Sequence, residues 1–434
     1  MGRFVGRSVA IVAAAVVALV AGATPAAAET DGQWDYRPAN VGGSYRAHVG
    51  NFAGDSAHDI LWYAPGPAAD HLWIGREGRR GQDAGFTSVR LTVGGDYHPI
   101  IGDFGGDDYT DILWYGPGSM TDSLWISDDS TDHFDKSRKV NIGGHYLPSV
   151  LRDYRAETTK DDILFLGPGA AKDYLWHFRD NGSATYASRP LSVNGAYQLV
   201  VGDYNGDRIE DVMLYAPGSH PDYLWHSSTS GAFRQTNHRV DGNYEPTVVY
   251  QQDRDGILWW TDAAAQAYWW QGTPSGFKNA PFSLPVLGIP ATPHPLGVNS
   301  VMLSVADDVD GIFWPDGTAN PYYELASPGH DITTQVPLVG DFDADGYADV
   351  VWFGAGGQTD ELWYTDTSGT SGAGAPAADA GAAGLAPAEV APAALPEALA
   401  TTRLPPPVSG GGGRRSAALH SDLSRGGSRS RFRG

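Results

Sequence analysis

A chain of 434 residues carries a formal net charge of −22, with Asp the dominant acid, and contains no cysteine. The acidic balance argues against nucleic acid as a partner, because phosphate binding needs a basic patch. Without cysteine there is no disulfide framework, so stability has to come from packing, bound metal or both.

Arg3 and Arg7 precede an apolar run from Val9 to Ala21, and Ala26-Ala27-Ala28 reads as a small-residue cleavage site. Residues 1–28 are therefore expected to be a secretory signal peptide, too short and too lightly flanked to be a membrane anchor. No second apolar run approaches the length of a transmembrane helix, and the C-terminus carries no hydrophobic tail or evident cell-wall sorting signal. The mature chain, starting at Glu29, is expected to be secreted, extracellular and free of any membrane span.

Internal self-similarity then dominates. VGNFAGDSAHDILWYAPGPAADHLWIG starts at Val49 and IGDFGGDDYTDILWYGPGSMTDSLWIS at Ile101. LRDYRAETTKDDILFLGPGAAKDYLWHF starts at Leu151 and VGDYNGDRIEDVMLYAPGSHPDYLWHS at Val201. Two eroded copies follow, YQQDRDGILWWTDAAAQAYWWQG and VADDVDGIFWPDGTANPYYELAS, and a full one returns at Val339. Asp103, Asp153, Asp203 and Asp253 are spaced 50 residues apart.

Each unit reads as four strands. A short apolar run (HPIIGDF) enters an Asp-rich loop, and the loop leaves into a second strand (DILWY). A Pro-Gly turn leads to a third strand (SLWIS), an alternating stretch (FTSVRLTV) makes the fourth, and Gly-Gly-x-Tyr returns the chain to the next unit. Short strands between turns, with no helical period, predict an all-β fold, and radial repetition of four-stranded units predicts a β-propeller. The last unit stops after its third strand, while residues 33–41 near the mature N-terminus resemble a fourth. The expectation is a seven-bladed β-propeller over residues 29–367, closed by an N-terminal strand that completes the last blade and covers two open strand edges.

The D-F/Y-x-G-D-x-x-x-D-I-L-W-Y pattern over roughly residues 33–366 resembles the FG-GAP repeats, also described as VCBS-type repeats, of integrin α heads and many secreted bacterial proteins. The resemblance implies a propeller whose Asp loops join the first and second strands of a blade and bind Ca²⁺. It implies no particular activity.

The loops themselves suit a hard cation unequally. Ca²⁺ takes six to eight oxygens, and alternating Asp side chains around a Gly turn can supply several. Asp341, Asp343, Asp345 and Asp349 form a full set, and Asp203, Asn205, Asp207 and Asp211 a nearly full one. Asp103, Asp107 and Asp111 lack a side-chain ligand at Gly105. Asn51, Asp55 and Asp59 offer fewer carboxylates, and the loop of Asp153, Glu157 and Asp161/Asp162 carries Arg155, Lys160 and an extra residue. The fifth and sixth units have lost the pattern. The competing reading is that these Asp residues only cap tight turns. Calcium at a hundred times its Kd would add about 2.7 kcal/mol to the folded state.

Trp62, Trp114, Trp259, Trp314 and Trp352 recur on second strands, and Trp73, Trp125, Trp176, Trp225 and Trp363 on third strands. Core packing between blades is the expected role, with sugar-stacking platforms the alternative. The fifth unit puts Trp259-Trp260 and Trp269-Trp270 close together, and since strand neighbours face opposite ways, two of these are candidates for a surface. Asp70, Asp122, Asp173, Asp222 and Asp360 close the Pro-Gly turns and read as turn caps, with repeated inter-blade ligand pockets as the alternative.

No motif marks a nucleophile, a zinc site or a phosphate loop, and no residue is singled out as catalytic. The histidines fall at different places in the units, while almost every polar feature repeats with them. That favours a non-catalytic binding or adhesion module over an enzyme, with glycan or cell-surface polymer as the first ligand class. A secreted hydrolase or lyase working over the channel, and a scaffold for a protein partner, are the alternatives. The protein is expected to act as a monomer. Residues 368–434 read as a disordered Ala/Pro/Gly-rich linker followed by an Arg-rich tail.

Overall fold

The computed structural model describes most of residues 34–283, without 40, 78–84, 129–133, 135, 154–159, 180–183, 194, 252 and 262–263. Beyond these it describes 15–18, 291–297, 300–305, 311–313, 323–324, 335–345, 348–354, 356, 360–365 and 386–390. The chain divides into two units, Met1–Ala394 and Leu395–Gly434, and the second lies outside the described residues. So do most of the expected signal peptide and tail, apart from an antiparallel pair joining Ala15–Ala18 to Ala386–Val390.

The fold is a β-propeller of four-stranded antiparallel blades, each a simple meander in sheet order. The first blade takes Arg46–Gly50, Asp59–Tyr63, Asp70–Gly75 and Phe86–Leu91. The second runs from His98 to Val140, the third from Leu147 to Leu191, the fourth from Gln198 to His238 and the fifth from Glu245 to Ser283. A closing blade is built from Gln335–Gly340, Asp349–Gly354 and Asp360–Thr365. Its fourth strand is Trp34–Ala39, paired from Trp34 opposite Thr365 to Ala39 opposite Asp360. The N-terminal segment thus supplies the strand that the last repeat lacks.

Six regular blades are present rather than the seven expected. The sixth repeat forms a shorter four-stranded sheet, Ala291–Gly297, Ser300–Val305, Gly311–Phe313 and Tyr323–Glu324. Its last two strands have only three and two residues. Its sequence lacks the Asp loop and the Pro-Gly turn, but so does the fifth unit, which still forms a regular blade, so that loss alone does not account for the short strands. Its expected core Trp314 lies outside the described residues.

Second strands are the most buried, with Asp59–Tyr63 and Asp111–Tyr115 buried at every residue. Within a blade, one ring from the second strand meets one from the third edge-on. Trp62–Trp73, Trp114–Trp125, Trp259–Trp270 and Trp352–Trp363 have centroids 5.2, 5.4, 5.5 and 5.6 Å apart. Between blades, Tyr63 meets Trp114 at 5.1 Å and Trp62 meets Phe353 at 4.9 Å. Edge-to-face contacts of this kind add to the area each ring buries. The recurring tryptophans therefore fill the core.

Gly-Gly-x-Tyr fixes the step to the next blade. Gly95 pairs with Gly66 of the Pro-Gly turn, and the Tyr63 hydroxyl donates to the Gly95 carbonyl while accepting from the Tyr97 amide. At φ +135° a Cβ on Gly95 would stand 2.6 Å from the Tyr97 ring, so only glycine fits. Tyr115 and Tyr215 repeat the arrangement with Gly144/Tyr146 and Gly242/Tyr244.

Candidate functional site

The Asp loops leave the first strand of each blade. In the closing blade, carboxylate oxygens of Asp341, Asp343 and Asp345 lie within 4.8 Å of one another. Asp341 and Asp343 are buried, and Asp343 Oδ1 has no hydrogen-bond partner among the described residues. Burial pushes the Asp343 carboxyl above its ordinary range, opposed by the Asp345 amide and the Arg37 charge. Ala344 holds φ +60°, where the other loops place Gly106 and Gly206 at +76° and +82°. A buried carboxylate oxygen without a donor, beside two more carboxylates, fits a hard cation such as Ca²⁺. Asp349 stands outside this group. Its Oδ2 accepts the Phe342 amide at 2.8 Å, tying the loop to the second strand.

The other expected ligands do not converge in this way. Asp203 Oδ1 accepts from the Gly206 and Asp207 amides and Oδ2 from the Arg208 amide. Asn205 Oδ1 accepts from the Asp207 amide and Asp207 Oδ1 from the Ile209 amide. Asp103 and Asp107 repeat the pattern, with Gly106, Asp108 and Tyr109 as donors. These side chains work as turn caps. Each loop also receives a cation from the next repeat. Lys160 Nζ donates to the Phe104 and Gly105 carbonyls, and Arg254 Nε to the Asn205 carbonyl at 2.9 Å. Burial pushes Asp103 up to about 7 and Asp203 up to about 6.

Asp111 and Asp211 are braces at the start of second strands. Asp111 Oδ2 accepts the Phe104 and Gly105 amides while Oδ1 accepts the Ser127 amide beyond the third strand. Asp211 Oδ1 accepts the Ser227 amide and its Oδ2 meets His226 Nδ1 at 3.1 Å. The turn aspartates are braces too. Asp70, Asp122, Asp173, Asp222 and Asp360 each accept one amide at the end of the second strand and one on the inter-blade connection. With both oxygens engaged, these side chains serve the scaffold.

The 50-residue spacing does not survive as structural equivalence. Leu151 pairs with Asp162 as Gly102 pairs with Asp111, so Arg152, not Asp153, stands in the place of Asp103. In the fifth blade Val249 pairs with Gly256, which puts Tyr250 there instead of Asp253. The extra loop residue in one repeat and the shortened loop in the other shift the register while the spacing stays constant.

Sequence reasoning missed a latch between successive blades. The residue just before the second strand reaches back to the first loop residue of the preceding blade. Its amide donates to that residue's carbonyl, and its side chain accepts that residue's amide. The pairs are Asn51–Thr110, Asp103–Asp161, Arg152–Glu210, Asp203–Asp255 and Asp341–His58. Thr, Asp, Glu and His do the same job, so no sequence motif marks it. Arg152 and Glu210 add a buried ion pair at 3.5 Å.

The fifth blade departs from the regular repeat in sequence and in strand length. All four tryptophans of the fifth unit, Trp259, Trp260, Trp269 and Trp270, are buried and packed, so none forms the surface for which two of them were candidates. Among the described residues Tyr268 is the exposed ring of that blade. The third and fourth strands of the fifth blade are lengthened to 10 and 8 residues. Against the fourth blade this hairpin leaves two clefts. One, of about 460 Å³, is lined by His238, Arg239, Trp270 and Phe277 among others. The other, of about 440 Å³, holds Asn205, Asp207, His226 and Ser227.

No protein-family model matches the chain, and no curated protein matches it. Among solved structures it resembles the Tc holotoxin pore of Photorhabdus luminescens (TccC3-D651A mutant), with 12% identity, a TM-score of 0.42, and coverage of 80% of this chain and 15% of that one. It also resembles the Dos1 propeller, with 9% identity, a TM-score of 0.46, and coverage of 76% and 80% respectively. The chain thus spans a small part of the toxin and most of the Dos1 propeller. Neither likeness speaks to activity. Among the described residues no helix is long and apolar enough to cross a membrane.

Proposed function

We propose that the chain is a secreted, calcium-stabilised propeller of FG-GAP (VCBS) type, in which the sheet of Ala291–Glu324 completes a ring of seven. It acts as a non-catalytic binding or adhesion module for glycan or cell-surface polymer. The observation that carries this reading is how the polar side chains divide. The repeating aspartates are engaged with backbone amides and hold the scaffold, while two clefts open where the lengthened hairpin of the fifth blade meets the fourth. Small-molecule sites favour such concave, asymmetric places.

Calcium belongs to this reading at Asp341, Asp343 and Asp345, supported by the unpartnered Asp343 oxygen. There the ion would fix the loop between two strands of the closing blade. The loops of Asp103 and Asp203 receive Lys160 and Arg254, which lowers their need for a metal.

The test is binding of the secreted protein to an array of immobilised oligosaccharides and to intact cell-wall polymer. Selective retention on a subset of glycans is the expected result. No retention on any of them, from folded protein, rejects the glycan reading. Release of soluble sugar from the polymer would replace it with the hydrolase or lyase reading.

A further inference from the structure

Each latch residue is preceded in sequence by a residue that lies against the loop of the preceding blade. These residues are Ala57, Tyr109, Lys160, Ile209 and Arg254. Tyr109 packs its ring on Gly54 of the first loop, and Ile209 bridges to Asp153 of the third. Lys160 and Arg254 are cations, and both reach the same place. Lys160 Nζ donates to the Phe104 and Gly105 carbonyls of the second loop, and Arg254 Nε donates to the Asn205 carbonyl of the fourth at 2.9 Å. Gly105 and Asn205 both stand third in their loops, counted from Asp103 and Asp203. Arg254 also lies across the turn, since a Cβ on Gly206 would stand 2.9 Å from its Cγ and 3.0 Å from its Nε. Burial raises the Asp107 carboxyl and the Lys160 charge lowers it, so the loop carboxylates feel that charge.

The closing blade is built the other way round. Its third loop residue is Asp343, a carboxylate where the second and fourth loops have Gly105 and Asn205. The residue before its latch is Ala57, which brings a methyl group and no charge. Ala57 Cβ and the Phe342 carbonyl oxygen lie 2.9 and 3.0 Å from the point where a Cβ on Gly75 would stand, so Ala57 sits beside this loop as Lys160 and Arg254 sit beside theirs. Here Asp341, Asp343 and Asp345 converge, and the buried Asp343 Oδ1 has no partner among the described residues. A fixed positive charge repels a divalent ion twice as strongly as a monovalent one at the same distance. The second and fourth loops, each with a side-chain cation and no third-position carboxylate, therefore do not fit the Ca²⁺ that the repeat pattern implies for them.

We propose that the residue before the latch decides which loop admits a divalent cation: Lys160 and Arg254 are built-in cations that exclude it from the second and fourth loops, whereas Ala57 leaves the loop of Asp341, Asp343 and Asp345 open to it. This rests on the calcium reading and assigns its selectivity to named side chains.

The test is calcium binding to the full chain by titration calorimetry, with a melting curve of each variant as the check of folding. Wild type should bind calcium in a way that Asp343→Ala abolishes and Asp207→Ala leaves unchanged. Arg254→Met keeps the stem of a half-buried side chain and removes its charge. It should bind one ion more than wild type, and adding Asp207→Ala to it should remove that ion. Ala57→Lys should weaken the wild-type ion about ten-fold or more. If Ala57→Lys does not fold, Arg254→Met decides. No additional ion in folded Arg254→Met, or wild-type affinity in folded Ala57→Lys, overturns the selectivity and leaves the calcium reading standing. Folded wild type that binds no calcium overturns both.

Discussion

The amide of Asp341 donates to Nδ1 of His58 at 2.8 Å, and the amide of His58 donates back to the Asp341 carbonyl at 2.7 Å. The two residues are 283 positions apart, yet they make the same reciprocal pair that joins neighbouring blades elsewhere. The closing blade is therefore fastened to the first blade twice. One fastening is this latch, and the other is the N-terminal strand paired to Asp360–Thr365.

The latch can be tested where it is least tangled with charge. Thr110 Oγ1 accepts the buried Asn51 amide at 2.9 Å. Thr110→Val keeps the shape and removes the acceptor, which should cost about 1–3 kcal/mol. Thr110→Ser should keep most of the wild-type stability. Denaturant midpoints at neutral pH measure both, and equal midpoints for the Val and Ser variants would dismiss the latch as a stabilising element.

Asp360 ties the second fastening. Its Oδ1 accepts the Gly354 amide and its Oδ2 the Val41 amide, 319 residues away. Asp360→Ala should free the N-terminal strand before the rest of the blade opens. Hydrogen exchange should rise first over residues 34–41, with early proteolytic loss of that segment. Unchanged protection over these residues would contradict the brace.

The tyrosine corners give a pH dependence. Burial pushes Tyr115 up to about 12 and raises Tyr63 and Tyr215 as well. The unfolded chain gives up these protons near pH 10, whereas the folded chain keeps them. Stability from the corners is thus fully present below about pH 10 and is lost as pH rises toward 12. Tyr115→Phe should lower stability at pH 8 by about 1 kcal/mol and flatten the alkaline loss. An alkaline melting profile identical to wild type would remove the corner from the account.

Much of the architecture was legible because it recurs in residue types with one physical use. Pro-Gly turns, DILWY strands and the Gly-Gly-x-Tyr step all survived as read. Residues 33–41 could be placed because the last repeat lacked a fourth strand. The site was less legible, for two reasons. Asp does several jobs in these loops, and sequence does not separate the converging, unpartnered carboxylate of Asp343 from the capping role of Asp203 or the bracing role of Asp111. Register was also hidden, since one insertion put Arg152 where Asp153 was expected and one deletion did the same for Tyr250. The latch was invisible because Thr110, Asp161, Glu210, Asp255 and His58 share only an acceptor atom. The fifth and sixth repeats had both lost the loop in sequence, and nothing there separated the full blade of the one from the short strands of the other.

The most direct test of the proposal that calcium stabilises the propeller is thermal unfolding of the protein with calcium and with EGTA, repeated for Asp343→Ala and for Asp207→Ala. The account predicts a clear fall in Tm with EGTA that Asp343→Ala largely abolishes and Asp207→Ala leaves in place, since the converging carboxylates are those of the closing blade. A Tm independent of calcium, or one whose dependence vanishes with Asp207→Ala and persists with Asp343→Ala, would contradict it.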